Sequence, residues 1–572
     1  MENLFQSIAG LPPDFAGVYV GILRFLAPAL MILILIRSAK PLMSFRREPE
    51  IWGLVRLPDG SARPVTHWEN VIGRDKNSDI IIELPTVSRN HAVLTRYDDG
   101  SWTISDAGSK GGVTVNGAKI DIWALEPGDV IGIGGLDVTL EPVSDRQAAK
   151  LEAMRTKASS GWSSMANLTL LTLFQLLCCF GYLLNGDQNA MSNIFWGFAG
   201  IAAAQWGLLI FYLSIGRTSF EVETIAFFLC TMGMCVLSST APEEVTKQLI
   251  AMFIGLAAFL FIGWSLRDLE RAKLVRYAAT VAGIGFLVIT LLFGQEIYGA
   301  KNWLIIGGYS IQPSELSKVC FVFVGASTMD RIMQKRNLIL FIGYSAVLCG
   351  LLALMNDFGT ALVFFVAFLA IAYMRSGSVG TIALAVFALI FAGVIVLTIA
   401  PHALSRFATW RHIWEDPYDG GYQQTRCLMC IAAGGLFGLG IGNGWMSNLF
   451  ASASDVVFAT VSEEWGLIAA FVMVVCIVVL AMFCLRSAGM GRSSFYTIGA
   501  CTAASILLIQ TLLNVLGTLD ILPFTGVTFP FVSNGGSSMI SAWALMAFVK
   551  ASDTRRNASF AIRTKQNREV KK

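Results

Sequence analysis

Twelve apolar runs follow one another between Met165 and Val549, most of them near twenty residues long and separated by short polar stretches. They are Met165–Leu184, Ile194–Ile215, Val222–Leu237, Leu249–Leu266, Tyr277–Phe293, Ser314–Met329, Leu338–Met355, Phe358–Tyr373, Thr381–Ile399, Val456–Leu485, Phe495–Leu519 and Ser537–Val549. A helix crosses the hydrocarbon of a bilayer with about 20 apolar residues. In lipid, backbone N–H and C=O groups must be satisfied within a helix or a closed barrel. The repetition therefore predicts a polytopic α-helical membrane protein. Only 14% of the residues are charged, against roughly 25% in soluble domains. A net charge of +3 gives no reason to expect nucleic acid as a partner. Cys427 and Cys430 form a lone C-x-x-C, short of the four ligands of a structural zinc site.

A thirteenth run, Val18 to Ile36, precedes these and is apolar apart from Arg24. Arg37, Lys40, Arg46 and Arg47 come directly after it, so the positive-inside rule puts residues 1–17 outside and the next segment in the cytoplasm. Later basic residues fall on alternate loops: Arg217, the set Arg267/Arg271/Lys273/Arg276, the set Arg331/Lys335/Arg336, Arg375, and Arg486/Arg492. The opposite loops are poor in Lys and Arg, with six exceptions: Lys247, Lys301, Lys318, Arg406, Arg411 and Arg426. Topology does not explain those six.

Ile51 to Pro142 differs in kind. Short β-branched runs such as Ile80-Ile81-Ile82 and Val113-Thr114-Val115 alternate with turns such as Asn116-Gly117 and Pro127-Gly128. That spacing predicts a small all-β sandwich. Within it stand Gly73-Arg74, Ser88-Arg89-Asn90-His91 and Asn116-Gly117. The segment resembles the forkhead-associated (FHA) domain in these motifs and their order. The resemblance implies that Arg74 and Ser88 hold a phosphothreonine, with Arg89 beside them and His91 supporting the loop. Gly111 stands where the family often has a ligand-binding Asn, and Lys110 where it has Thr, so Lys110 is a candidate for added charge. The alternative is a docking sandwich that no longer reads phosphate. The basic stretch Gln147 to Ser160 is expected to act as a tether.

The six unexplained cations point to the outside segments. The first runs from Gly299 to Lys318 and contains Gln312-Pro313-Ser314-Glu315, a helix start with Pro and Glu in its first turn. Lys318 lies one turn in and calls for a lipid phosphate or an internal carboxylate. The second, Arg406 to Gly466, is expected to be a long functional loop without obvious secondary structure. Asp455 closes it, with Glu463 and Glu464 two turns further on. An Asp there is either a helix N-cap or a functional carboxylate at the membrane edge. The third segment runs from Leu522 to Ser538 and is rich in Pro, Gly and Ser.

Six motifs recur here in order: Gly299-Ala300…Trp303, Gln312–Lys318, Asp357-Phe358-Gly359-Thr360, Gly421-Tyr422-Gln423, Asp455…Phe458-Ala459…Glu463-Glu464-Trp465-Gly466, and Pro523–Ser538. Residues 165–550 thereby resemble the SEDS family (shape, elongation, division and sporulation; the FtsW/RodA/SpoVE group). Local departures are Ala453 for His, Ser454 for Thr, Asn534 for Tyr and Asn302 for Arg. The resemblance also implies two more helices than the family's usual ten, upstream of all the motifs.

It implies a peptidoglycan glycosyltransferase of the cell membrane that polymerises lipid II at the outer face. Asp455 matches the catalytic Asp. Lys318 and Arg406 match family positions for the lipid pyrophosphate, with Lys301, Arg411, Glu315 and Gln312 as further substrate-side candidates. A divalent cation such as magnesium could share the charge work, although no ligand spacing marks a site. The implied partners are a class B penicillin-binding transpeptidase and a phosphothreonine-bearing protein. Two other readings stay open at this point: a lipid II flippase, and a non-catalytic scaffold.

The expected architecture is thus about thirteen transmembrane helices with an inserted cytoplasmic FHA sandwich. Its parts are an outside N-terminus and anchor (1–47), the FHA domain (48–143), a basic linker (144–164), the transferase region (165–550) and a basic cytoplasmic tail (551–572).

Overall fold

A computed structural model describes residues 12–44, 50–76, 78–97, 100–143, 156, 158–185, 190–267, 269–297, 299–327, 335–376, 379–399 and 401–561. Residues 1–11, most of the basic linker, Arg46, Arg47, Arg331 and the tail beyond Ala561 lie outside the described residues.

The β segment folds as two packed antiparallel sheets. One has β1 (Gly53–Arg56), β2 (Ala62–Val65), β7 (Val113–Val115), β8 (Ala118–Ile120), β10 (Val130–Ile133) and β11 (Leu136–Pro142), in the order β2-β1-β11-β10-β7-β8. The other has β3 (Glu69–Gly73), β4 (Ile80–Ile81), β5 (Ala92–Arg96), β6 (Trp102–Asp106) and β9 (Ile122–Leu125), in the order β4-β3-β5-β6-β9. Only the short β3–β4 pair is parallel. Alternate residues turn inward, as a pleat requires. Val55, Ile72, Leu94, Ile104, Val113, Val115, Ile131, Ile133 and Val138 form the core.

Helices cover the apolar runs. They are α1 (Pro13–Met43), α2 (Gly161–Asn185), α3 (Met191–Ser214), α4 (Glu221–Thr240), α5 (Val245–Ser265), α6 (Leu269–Phe293), α7 (Pro313–Ser327), α8 (Lys335–Leu354), α9 (Phe358–Ser376) and α10 (Val379–Ile399). Eight helices among the described residues are long and apolar enough to cross a membrane: α1 to α6, and two later ones, Gly466–Ala488 and Ser494–Thr518. Two further apolar stretches are shorter, Ile339–Leu354 and Phe358–Met374. α4 is buried along almost its whole length and forms the centre of the bundle. Between α6 and α7 a small antiparallel sheet, β12 (Gln295–Ile297), β13 (Ala300–Ile306) and β14 (Tyr309–Ile311), caps the bundle.

The stretch from Arg406 to Gly466 is more ordered than its composition suggests. It contains the end of α11 (Pro401–Thr409), then α12 (Tyr422–Gly434) and α13 (Val457–Glu464). Its glycines allow close backbone packing. A Cβ on Gly434 would sit 2.1 Å from the Ser462 carbonyl oxygen, and one on Gly438 2.1 Å from that of Glu464. The last long run is also divided. α13 ends at Glu464, and α14 (Gly466–Ala488) starts afresh at Gly466, whose φ is +86°. α15 (Ser494–Thr518) and α16 (Gly536–Ala551) complete the chain's helices.

Two further parts of the chain pack on the helical bundle. The tail does not leave the bundle at residue 551. Asp553, Arg555, Phe560 and Ala561 are buried, and Arg555 bonds both Asp553 (2.8 Å) and Glu221 (3.3 Å). Beside it Lys550 pairs with Glu223 at 3.1 Å. Buried charges require such partners.

The FHA domain, for its part, is docked rather than merely tethered. Glu50 takes a two-pronged ion pair from Arg492, at 2.6 and 2.8 Å. His67 Nδ1 lies 2.6 Å from the Gly491 carbonyl oxygen, and the Trp68 N–H donates to the Arg492 carbonyl. Trp68 also packs edge-on against Tyr496 of α15.

Candidate active site

Asp455 sits half-buried just ahead of α13, and three segments fix it there. Its own N–H donates to the Ala451 carbonyl at 3.0 Å, closing a tight turn with Ala451 at φ +56°. The loop 522–538 wraps the same turn. Asn534 N donates to Ala453 O at 2.7 Å, and the Ser533 hydroxyl donates to Ser454 O. Gly526, at φ +66°, lies under the carboxylate: a Cβ there would stand 3.2 Å from Asp455 Oδ2. The third segment is α15, whose Asn514 side chain donates to Asp455 O at 2.8 Å and to Val527 O at 2.9 Å.

Asp455 is not the cap of α13. Val456 occupies the N-cap position, and no side chain makes a capping bond there. The carboxyl is free for other work, and burial pushes it up to about 6, against the opposing pull of a Ser454 hydrogen bond and the Arg406 charge.

Arg406 lies exposed in the last turn of α11. The turn after α11 is pinned to the same loop region. Trp410 Nε1 donates to Ile521 O at 3.2 Å, and Arg411 N donates to Asp520 Oδ1 at 3.2 Å. Arg411 has φ +62°, and its exposed guanidinium lies over the Trp410 ring.

Of the two partners expected for Lys318, a lipid phosphate or an internal carboxylate, the structure provides the carboxylate. Lys318 is 1% exposed, and its Nζ is 2.6 Å from Glu315 Oε2, one turn back on α7. Ser541 of α16 donates to the same carboxylate oxygen at 2.7 Å. The internal carboxylate is thus the partner Lys318 has, because an unpaired ammonium so deep would be costly. Gln312 joins this cluster to its surroundings: its N–H donates to Ser537 Oγ, and its side chain donates to Asp357 Oδ2 at 3.3 Å. Asn302 reaches the same Asp357 oxygen, and the Lys301 N–H donates to Met355 O, so Lys301 is held through its backbone. Asp455, whose carboxyl feels the Arg406 charge, and the Glu315–Lys318 pair with Gln312 are therefore two clusters on the 522–538 segment, the first bonded to it at Ser533 and Asn534 and the second at Ser537.

Among the described residues no group of three or more His, Cys, Asp or Glu side chains is placed to hold a metal ion.

At the other functional end, the FHA loops bring Arg74, Ser88, Arg89 and Lys110 together. Arg74 N donates to Ser88 O, and Lys110 N donates to Ser88 Oγ at 3.1 Å. That oxygen keeps its hydroxyl hydrogen available as a donor. Arg74, Arg89 and Lys110 are exposed. His91 is fully buried: Nδ1 accepts from Ser88 N and Nε2 faces Gly112 O, both at 3.0 Å. Two backbone partners leave no ring nitrogen for a ligand, so His91 acts as the brace for both loops.

A family model for the FtsW/RodA/SpoVE proteins, described as "Cell cycle protein", matches residues 220–558. The chain belongs to the FtsW/RodA/SpoVE family. An FHA domain model matches residues 70–134, ahead of the transferase region. The Mycobacterium tuberculosis (H37Rv) peptidoglycan glycosyltransferase RodA is 28% identical over 325 residues, covering 54% of this chain and 69% of that protein. A probable peptidoglycan glycosyltransferase FtsW from Tolumonas auensis is 31% identical over 354 residues, covering 58% of this chain and 91% of the relative. Among solved structures, a chain from work on structural coordination of polymerization and crosslinking by a peptidoglycan synthase complex is 24% identical, with a TM-score of 0.50 over 58% of this chain and 96% of its own. That likeness concerns the fold alone.

Sequence reasoning missed Asn514, Ser533 and Ser541. Asn514 did leave a signal, being a polar side chain one turn after Gln510 in an otherwise apolar run.

Proposed function

We propose that this peptidoglycan glycosyltransferase polymerises lipid II into glycan strands at the outer membrane face, with Asp455 as the general base. A sugar hydroxyl must lose its proton as it attacks the anomeric carbon of a lipid-pyrophosphate sugar. A carboxylate near pH 6 takes that proton at neutral pH and has more basicity to offer than an ordinary Asp. Arg406 is an exposed cation whose charge reaches Asp455 and supplies positive charge to the leaving pyrophosphate, with the exposed Arg411 on the turn after α11 as a second source of charge. Lys318 already has its carboxylate, so its part is to hold α7 against α16 with Glu315 and Ser541.

The single observation that carries this reading is the half-buried carboxyl of Asp455, on a turn fixed by its own backbone bond to Ala451, by the 522–538 loop and by the Asn514 side chain of α15. The test is polymerisation of lipid II by the purified protein, alone and with a class B penicillin-binding transpeptidase. Asp455→Ala should lose polymerisation while expression and folding persist. Wild-type rates in that variant would end the proposal.

The chain is proposed to cross the membrane thirteen times, with α7, α8, α9, α10 and α16 added to the eight long apolar helices. The two functional ends then lie on opposite faces. α15 begins beside the docked FHA domain at Arg492 and carries Asn514 at the Asp455 site, twenty residues on. At 1.5 Å per residue that is about 30 Å, a hydrocarbon thickness. With the FHA domain in the cytoplasm, Asp455 is outside.

The FHA phosphate loops are proposed to take a phosphothreonine from a partner protein. β3 separates the docked Trp68 from Arg74, which puts the phosphate loops about 17 Å along the strand from the docked end, at 3.3 Å per strand residue.

A further inference from the structure

Asn514 is 2% exposed, in the final third of α15. Both groups that its amide nitrogen reaches are backbone carbonyls, Asp455 O at 2.8 Å and Val527 O at 2.9 Å. Carbonyls only accept, so the NH₂ must face them, and the orientation of the amide is dictated by its partners. The other amide atom, Oδ1, is buried with no hydrogen-bond partner among the described residues. Leaving an amide oxygen unpaired in a buried site is costly. The two donor bonds are kept at that cost.

Those two bonds join three segments that are distant in the chain. Asp455 lies 59 residues before Asn514, and Val527 lies 13 after it. Val527 follows Gly526, the residue against which the Asp455 carboxylate rests. One side chain therefore sets both the height of the Asp455 backbone and the floor beneath its carboxylate. The helix on which it stands is anchored one turn on, where Thr518 donates to Asn514 O at 2.7 Å.

We infer that Asn514 is a positioning residue of the glycosyl transfer, fixing the Asp455 carboxyl against the Gly526–Val527 floor. This rests on the reading of Asp455 as the base. A change of Asn514 acts on the rate of the chemical step, and substrate binding is left to the exposed cations. A misplacement of about 1 Å at a reacting group lowers rate by about a hundredfold.

The test compares Asn514→Leu, similar in size with no donor, and Asn514→Gln, which keeps the amide donors. Each is purified as the full chain and assayed on lipid II for kcat, KM and the pH dependence of kcat, beside a thermal melt. The Leu variant should lose about a hundredfold in kcat with KM within about twofold. Its acid limb should move to lower pH, because a carboxyl released from its dry floor meets water. The Gln variant should recover at least about tenfold of the lost rate.

Wild-type kcat in Asn514→Leu overturns the inference. So does a loss of kcat that comes with a lower melting point, an unmoved acid limb and no recovery in Asn514→Gln, since that pattern is a folding defect. Asp455→Ala, run in parallel, separates the two levels. An active Asp455→Ala removes the base reading itself, whereas an inactive one beside a fully active Asn514→Leu removes only the positioning role.

Discussion

The two functional ends of this chain handle charge in opposite ways. At the FHA end, Arg74, Arg89 and Lys110 stand in water, and the order of the site resides in the backbone bonds beneath them. At the membrane end, Lys318 and Glu315 neutralise each other in the dry interior, whereas Arg406 and Arg411 are exposed. Motif position marks a cation as important in both places. Solvent decides what the cation does: an exposed guanidinium is available to an incoming phosphate, whereas an ammonium buried in a helix bundle must already have its counter-ion.

The sharpest way to break that contrast is to remove one partner of the buried pair. Glu315→Gln leaves Lys318 in the interior without its carboxylate. Losing one member of a buried pair costs about 3–5 kcal/mol, so thermal unfolding in detergent should show a large loss of stability. Glu315→Gln combined with Lys318→Met should recover much of it, since the pair is then gone as a unit. Unchanged stability in the single variant would mean that Lys318 is not committed to Glu315 and is free for substrate.

Much of this was legible in the chain. The β sandwich follows from short β-branched runs between turns, and the bundle from the length of the apolar runs. Asp455, Arg74 and Ser88 were found from motifs that are local in sequence. The Glu315–Lys318 pair was within reach too, because residues three apart share a helix face, but sequence alone does not say that the face is dry. The features that stayed hidden depend on distant contacts. Asn514 meets Asp455 across 59 residues, and His67 meets Gly491 across 424. The helices inside 406–466 were hidden for another reason. Glycine content reads as loop, yet here glycines let α12 and the turn after it lie directly on the carbonyls of Ser462 and Glu464.

Phosphate recognition sharpens the other side of the contrast. Arg74→Ala should weaken binding of a phosphothreonine peptide to the full-length protein by about tenfold to a hundredfold, the loss expected for a charge-assisted bond. It should leave the melting temperature unchanged, because Arg74 shares only its backbone with the fold. Equal affinity for phosphorylated and plain peptide, measured by titration, would leave the FHA end as a docking surface only.

A smaller effect separates the ends by pH. Asp455 is raised to about 6, so below that pH it is protonated and cannot accept the hydroxyl proton. The polymerisation rate should therefore fall as pH drops through about 6, by about tenfold at pH 5. A rate that is flat down to about pH 4.5, near the range of an ordinary carboxylate, would show that the site is wetter than its burial suggests.

The smallest effect concerns the joint between the ends. Arg492 holds Glu50 with two charge-assisted bonds while its backbone carbonyl accepts from Trp68, so one residue of the α14–α15 loop carries both the ionic and the backbone part of the dock. Arg492→Ala removes the ionic part and the guanidinium's contact with the Trp52 ring, and leaves the backbone bond. The pair is only partly buried, so solvent screening limits its worth to about 1–2 kcal/mol. His67, Trp68 and Tyr496 still hold the domain, and polymerisation by the purified protein should stay within about twofold of wild type. The expected change is in protection. Backbone amides from Glu50 to Trp68 exchange with solvent by local opening, and a loss of about 1.4 kcal/mol raises that exchange about tenfold. Amides near Arg74 exchange independently of the dock, because β3 puts them at the far end of the domain. Faster exchange at Glu50–Trp68 with no change near Arg74 therefore identifies a rigid dock with a free phosphate end. Uniform exchange in both variant and wild type would mean that the domain rides on its linker and that the contacts at Arg492 contribute nothing to holding it.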